Sequence, residues 1–353
     1  MRCMKIETEV VTKMTQNFVS SKIGALVLFV LAAACSPKKQ EPTAGAKPKI
    51  GFILSTMQEE RYAKDKKYFE QRAAELGAEV VFASANNNEQ EQLSKVENIL
   101  SQGVKVLVVQ PVNSRAASSF VTMAHKDGVK VVAYDRVIYN APVDLYVTQD
   151  SYRVGVLQAE AAASFTKGKG NYIVLQGESG HSVAKEITRG VLDTLAKFPE
   201  IKVVVNQAHA GWSGELAMKT VENALTANKD NVAAILANNS GMANGAVQAL
   251  VEQKLVGKVF VAGADADLTA IKNVVAGRQQ FEVLKSIEPL AEAAASAAVA
   301  LAKGELPRSD LVLDFEGQKV PVINTPVYAI TKDNVEEKIV STGFHPRDAV
   351  FGK

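Results

Sequence analysis

Past residue 35 the chain has no cysteine at all; its two, Cys3 and Cys35, both lie at the extreme N-terminal end. A disulfide framework is therefore excluded, and so is a cysteine-ligated zinc site. Histidine is scarce. His125, His181, His209 and His345 are scattered, with no H-E-x-x-H spacing to hold a metal. Tryptophan occurs once, at Trp212. Net charge is lacking too. The formal +2 is accounted for by Arg2, Lys5, Lys13 and Lys22 against Glu7 and Glu9, so everything after the first 34 residues is neutral and presents no basic field for nucleic acid. No phosphate-cradling G-x-x-x-x-G-K-[ST] loop is present. Gly177-Glu178-Ser179-Gly180-His181 begins like a nucleophile elbow but ends in histidine where that motif needs glycine. With no nucleophile–base pair, no reaction can be named, and the sequence reads as a non-enzyme without a cofactor.

What is present starts at the N-terminus. The apolar run Ile23–Ala34 follows Lys22 and stops at Cys35. It is far shorter than the roughly 20 residues of a membrane span. Small residues before a cysteine read as an export signal over residues 1–34 with Cys35 as the lipidated residue. Export without lipidation and an uncleaved anchor are the competing readings. Residues 35–48, rich in Pro, Gly, Ala and Lys, read as a flexible tether. The expected location is outside the cytoplasm, held to a membrane by lipid. About 320 residues remain, room for two ordinary domains.

From Lys49 onward, short β-branched runs alternate with helical stretches. The strand candidates are 49–54, 78–84, 104–111, 129–135 and 145–150, then 171–177, 202–208, 232–239 and 258–265. Their nearly continuous apolar character marks strands buried on both faces of a parallel sheet. Helices are expected over 59–76, 89–101, 214–227 and, rich in alanine, 288–303. This repetition predicts an α/β fold of two doubly wound, Rossmann-like lobes with parallel sheets joined by a hinge of several strands. The expected division gives 49–155 and 287–318 to the N-terminal lobe, and 156–286 and 319–353 to the C-terminal one. A single late strand is expected over 320–331, its Pro321 and Pro326 suiting an edge or a crossing between lobes.

Many strands end in polar residues: Ser55, Asn86, Asn113, Asp135-Arg136, Asp150, Glu178, Asn238-Asn239 and Asp265. Ligands of open parallel sheets bind beyond the carboxyl ends of strands, so two facing sets of tips predict a cleft. The tips carry the chemistry a neutral sugar needs: groups that donate and accept to hydroxyls, and a flat ring for its C–H face. Arg61-Tyr62 follows the first strand, Asp135-Arg136 the fourth, Trp212 a later one, and Lys285 closes the run Phe281–Lys285. Structural readings stand beside these. Asp135 with Arg136 could be a surface ion pair, Trp212 a core residue, Asn239 a helix cap, and Lys285 a solvated strand-end charge.

The chain resembles the substrate-binding proteins of sugar ABC transporters, type I periplasmic fold, and among them the D-xylose-binding proteins. The likeness spans residues 48–348. It rests on Ile50-Gly51-Phe52, Glu60–Asp65, Ser84-Ala85-Asn86, Ala133–Arg136, Glu222–Asn228, Gly263–Leu268 and Gly343-Phe344-His345, in family order. The resemblance implies that a monosaccharide is bound by Arg61, Tyr62, Asp135 and Arg136 from the first lobe. Trp212, Asn239 and Asp265 contribute from the second, with Lys285 at a crossing. It also implies a monomer that serves a permease and its ATPase, or a chemoreceptor. His181 and Val183 stand where the family has Asp and Asn, and Ser240 where an Asp often follows the pocket Asn. His181 is counted as a contact, with Glu178 or Ser182 as candidates to compensate for Val183. A sugar sensor for a membrane kinase would use the same cleft. A lactose-repressor-type regulator would need a helix-turn-helix where the export segment stands.

Overall fold

The computed structural model describes residues 47–352; the export signal, Cys35 and most of the expected tether lie outside the described residues. The chain begins with β1 (Lys49–Leu54), α1 (Glu60–Glu75), β2 (Glu79–Ser84), α2 (Glu89–Ser101), β3 (Val106–Val109), α3 (Ser118–Lys126), β4 (Lys130–Tyr134) and β5 (Leu145–Gln149). A second series follows: α4 (Ser151–Phe165), β6 (Lys169–Gln176), α5 (Ser182–Leu195), β7 (Glu200–Ala208), α6 (Gly214–Ala227), β8 (Ala234–Ala237), α7 (Ser240–Glu252), β9 (Phe260–Ala264), α8 (Leu268–Val275) and β10 (Phe281–Lys285). The chain then returns through α9 (Ile287–Ala302), β11 (Leu311–Phe315), β12 (Gln318–Thr325), β13 (Val327–Ile330) and α10 (Arg347–Phe351).

Two sheets result. The first has the order β11-β12-β5-β4-β3-β1-β2 and the second β13-β10-β9-β8-β6-β7. All neighbours run parallel except the edge pairs β11/β12 and β10/β13. Apolar β-branched residues fill the central strands because both faces are covered. On one face of the first sheet Phe52, Val108 and Val132 pack with Phe69 of α1 and the alanines of α9; on the other, Ile53, Leu107 and Val131 pack with Val96 and Phe120. Ala291, Ala294, Ala295 and Ala298 are fully buried, and their small side chains let α9 lie close to the sheet. The second sheet is sealed by one cluster from α4, α5, α6 and α7.

The chain passes between the sheets three times, at β5 to α4, at β10 to α9 and at β12 to β13. This is the two-lobed architecture expected, with three corrections. The late apolar stretch is two strands rather than one, broken at Pro326, which has no N–H to continue a ladder. Because β12 pairs with β5 as far as Thr325, the first sheet extends past residue 318, where the lobe boundary was expected. Likewise α4 packs on α5, β9 and β10 of the second lobe, so its start at Ser151, not residue 156, marks that crossing.

Candidate functional site

The carboxyl ends of β1, β4, β9 and β10 and the turn after β7 converge between the lobes. They enclose a narrow space of ≈ 20 Å³ lined by Glu59, Arg61, Tyr62, Asp135, Arg136, Val183, Trp212, Asn239, Asp265 and Lys285. Eight of the nine expected contacts therefore line one cavity. His181 does not; it stands behind Trp212.

The first-lobe half is built around Arg61, in the first turn of α1. Its guanidinium donates to Asp65 from Nε (3.3 Å) and Nη2 (3.4 Å), and to Asp135 Oδ1 from Nη1 (3.4 Å). Tyr134, fully buried, donates its hydroxyl to Asp65 as well. Gln110 Nε2 donates to Asp135 Oδ2 at 2.8 Å, and Gln110 Oε1 accepts from the Ser55 N–H and hydroxyl. Burial alone would hold Asp135 protonated. Arg61, Lys285 and Arg136 outweigh it and, with the Gln110 bond, bring its carboxyl down to about 2, so it is ionised. Burial likewise disfavours the Arg61 charge, but Asp135 and Asp65 hold it firmly protonated. Arg136 donates to the Pro111 carbonyl (3.0 Å) and the Tyr62 hydroxyl (3.3 Å).

In the second-lobe half, Asp265 Oδ1 lies 3.0 Å from Lys285 Nζ and 3.8 Å from Arg61 Nη1, the latter an ion pair across the cleft. Asn239 caps α7, its side chain accepting from the Met242 N–H at 2.9 Å, and also faces the cavity. The cap reading and the ligand reading of this residue are thus compatible. Trp212 is 9% exposed; it joins the second lobe's apolar cluster and presents a face to the cavity. Its indole N–H donates to His181 Nδ1 at 2.7 Å. A neutral imidazole then carries its proton on Nε2, so the 3.2 Å approach of Arg136 Nη1 to that nitrogen sets two donors face to face. Burial, reinforced by the Arg136 charge, brings the His181 pKa down to about 2 and keeps the ring neutral. His181 thus orients the tryptophan and does not touch the cavity.

The remaining tips divide between roles. Asp150 caps α4 by accepting from the Arg153 N–H (2.8 Å). Glu178 accepts from the Gly211 N–H (2.6 Å), fixing the turn that carries Trp212. Ser182 accepts from the Val137 N–H across the lobes (3.0 Å). Neither Glu178 nor Ser182 lines the cavity, so neither replaces the hydrogen bonding absent at Val183. Asn86 and Asn113 stay at the surface, bonded to Glu91 and Glu89. Glu59, at the N-terminus of α1, was not expected. Burial raises its pKa, and its side chain reaches the cavity from one residue before the helix.

Three buried side-chain atoms on this lining have no hydrogen-bond partner: Glu59 Oε2, Arg136 Nε and Asp265 Oδ1, the last near Lys285 but not aligned with it. They comprise two acceptors and one donor, grouped around an enclosed space beside an indole. Unpaired buried polar atoms are costly, and here they converge where a ligand could complete them.

A family model described as a periplasmic binding protein domain matches residues 50–306. A D-xylose-binding periplasmic protein of Haemophilus influenzae is 40% identical over 332 residues, 93% of this chain and 97% of that protein. One from Escherichia coli is 40% identical over 301 residues, 84% of this chain and 91% of its own length. Among solved structures, a carbohydrate transporter solute binding protein from Chloroflexus aurantiacus, in complex with D-glucose, superposes with a TM-score of 0.79 at 27% identity. That match covers 86% of this chain and 98% of the other.

Proposed function

The chain belongs to the periplasmic binding protein family, and we propose that it captures a monosaccharide, D-xylose before others, outside the cytoplasm and delivers it to an ABC transporter permease with its ATPase. It is a binding protein rather than an enzyme, as are the relatives it matches. The observation that carries the sugar reading is the set of unpartnered atoms, Glu59 Oε2, Arg136 Nε and Asp265 Oδ1, around one narrow space between the lobes. Hydroxyl groups donate and accept at once, so a polyhydroxylated ring satisfies both kinds.

In this reading Asp135 and Asp265 each accept from hydroxyls, and Arg61, Arg136 and Lys285 donate to ring and hydroxyl oxygens. Such charge-assisted bonds are about twice as strong as neutral ones. Trp212 stacks on the apolar face of the ring and Tyr62 lies against it. Val183 offers only hydrocarbon, leaving the adjacent part of the ring without a polar partner. The three crossings form a hinge that lets the lobes part and close. The protein acts as a monomer, tethered to a membrane by a lipid on Cys35.

Calorimetry on residues 36–353, against a panel of pentoses and hexoses, tests this. Tight binding of D-xylose alone supports the proposal in full. Selective binding of another sugar keeps the site and replaces the substrate. Binding of none overturns the sugar reading. Mass spectrometry of the protein from membranes tests the anchor, which requires a diacylglyceryl adduct on Cys35.

A further inference from the structure

One buried carboxyl has no part in the site as described. Glu282, in the middle of β10, is fully buried and does not line the cavity. Its Oε1 accepts from Gln279 Nε2 at 2.7 Å. Its Oε2 accepts from the Ala266 N–H at 3.2 Å and lies 3.1 Å from Ser240 Oγ. The Ser240 hydroxyl in turn donates to the Ala264 carbonyl (2.9 Å) and accepts from the Asp267 N–H (3.1 Å). Glu282 and Ser240 thus grip the backbone on both sides of Asp265. That backbone needs gripping: Asp265 and Ala266 have φ of 102° and 60°, a left-handed conformation that non-glycine residues resist. Gly263 makes room for the device, since a Cβ there would lie 2.1 Å from Glu282 Oε1.

We propose that Glu282, acting with Ser240, is a positioning residue that holds the Asp265–Asp267 turn in its left-handed form and so aims Asp265 at the ligand. The inference rests on the sugar-site reading for its functional half. It accounts for the presence of serine directly after Asn239: a second carboxylate at that position would face Glu282 in an apolar interior. The proton inventory agrees. The single Ser240 proton faces two acceptors, the Ala264 carbonyl and Glu282 Oε2, and a proton on the carboxyl supplies the second bond. Burial pushes Glu282 up to about 8, so that proton is in place at neutral pH.

The test combines hydrogen exchange on the unliganded protein with sugar calorimetry, for Glu282→Ala and Glu282→Gln. Glu282→Ala should speed amide exchange in residues 264–268 and leave 134–138 unchanged. It should also weaken sugar binding by about tenfold, the consequence of one orphaned buried group. Glu282→Gln, which keeps a donor toward Ser240 but loses the acceptor for the Ala266 N–H, should restore part of both. In an Asp265→Asn background, Glu282→Ala should add little further loss of affinity; in Asp135→Asn its full effect should remain. Unchanged exchange overturns the proposal whether or not a sugar binds. Faster exchange with unchanged or fully additive affinity loss overturns the link to Asp265. If the wild type binds no sugar, the site reading fails and the exchange result alone decides whether Glu282 holds the turn.

Discussion

Asp135 follows β4 in the first lobe and Asp265 follows β9 in the second. Each adopts a positive φ, 61° and 102°, while its N–H donates to the next strand, to Val147 and Val283 respectively. Beyond that shared geometry they part. Asp135 has both carboxylate oxygens engaged, by Arg61 and Gln110, and its carbonyl accepts from Tyr146 and Thr148. Asp265 is held through its backbone, and its Oδ1 has an ion pair but no aligned hydrogen bond. Asp135 is complete in itself; Asp265 is one hydrogen bond short. The atoms left for a ligand to complete come from both lobes, Glu59 Oε2 and Arg136 Nε from the first and Asp265 Oδ1 from the second.

The sharpest way to break that contrast is to remove each carboxylate in turn. Asp135→Ala leaves Arg61 and Gln110 facing a buried gap and should cost about 3–5 kcal/mol of folding stability, read by urea denaturation. Asp265→Ala should cost clearly less stability while abolishing sugar affinity to a similar degree, about 100-fold or more. Equal stability losses would show that the two halves are built alike. Next in size is Gly177→Ala, whose new Cβ would lie 2.5 Å from three ring atoms of Trp212. Displacing the indole should weaken sugar binding about tenfold and destabilise the fold by about 1–3 kcal/mol, measured by calorimetry and thermal unfolding.

Acid–base behaviour sharpens the contrast more gently. Asp135, drawn down to about 2, contributes stability that is present above its ordinary value of 3.8 and is lost as pH falls through 2. Glu282 and Asp267 go the other way, to about 8 and about 7, chiefly through burial. The folded chain keeps protons there that the unfolded chain has released, so stability falls as pH rises from about 4 to about 8 and then levels. Unfolding midpoints between pH 4 and 9 should show that decline, and Glu282→Gln should flatten part of it. The smallest effect expected is from Val183→Asn, a few-fold change in the ranking of sugars as one hydroxyl regains a partner; the calorimetric panel reads it.

The sequence disclosed the frame and the rim of the site more readily than what supports them. Helices are found over 89–101 and 214–227 as expected, and the β-branched runs fell within a few residues of β1–β9. Arg61, Asp135, Asn239 and Asp265 were visible because strand ends in parallel sheets point outward together. Gln110, Asp65, Tyr134 and Glu282 were not. Each acts through a partner on another element, and in sequence Gln110 is a strand-end amide and Glu282 one polar letter in Phe281–Lys285. His181 was placed in the cavity because its spacing in the chain carries no information that it accepts the indole N–H of Trp212 instead. Pro326 was read within one strand, as suiting an edge or a crossing between lobes, and only the ladders show that the strands on its two sides belong to different sheets.

The three passages between lobes also bear on how the molecule comes into being. β12 pairs with β5, joining residues 322–325 to 146–149. The first sheet therefore waits for strands made near the end of synthesis, with most of the second lobe interposed. Closing so long a loop costs only modestly more entropy than closing a short one, but contacts so distant in sequence slow folding. An N-terminal fragment ending after β5 would leave that strand's edge bare and its apolar faces without α9. Such a chain stays unfinished until almost all of it is available.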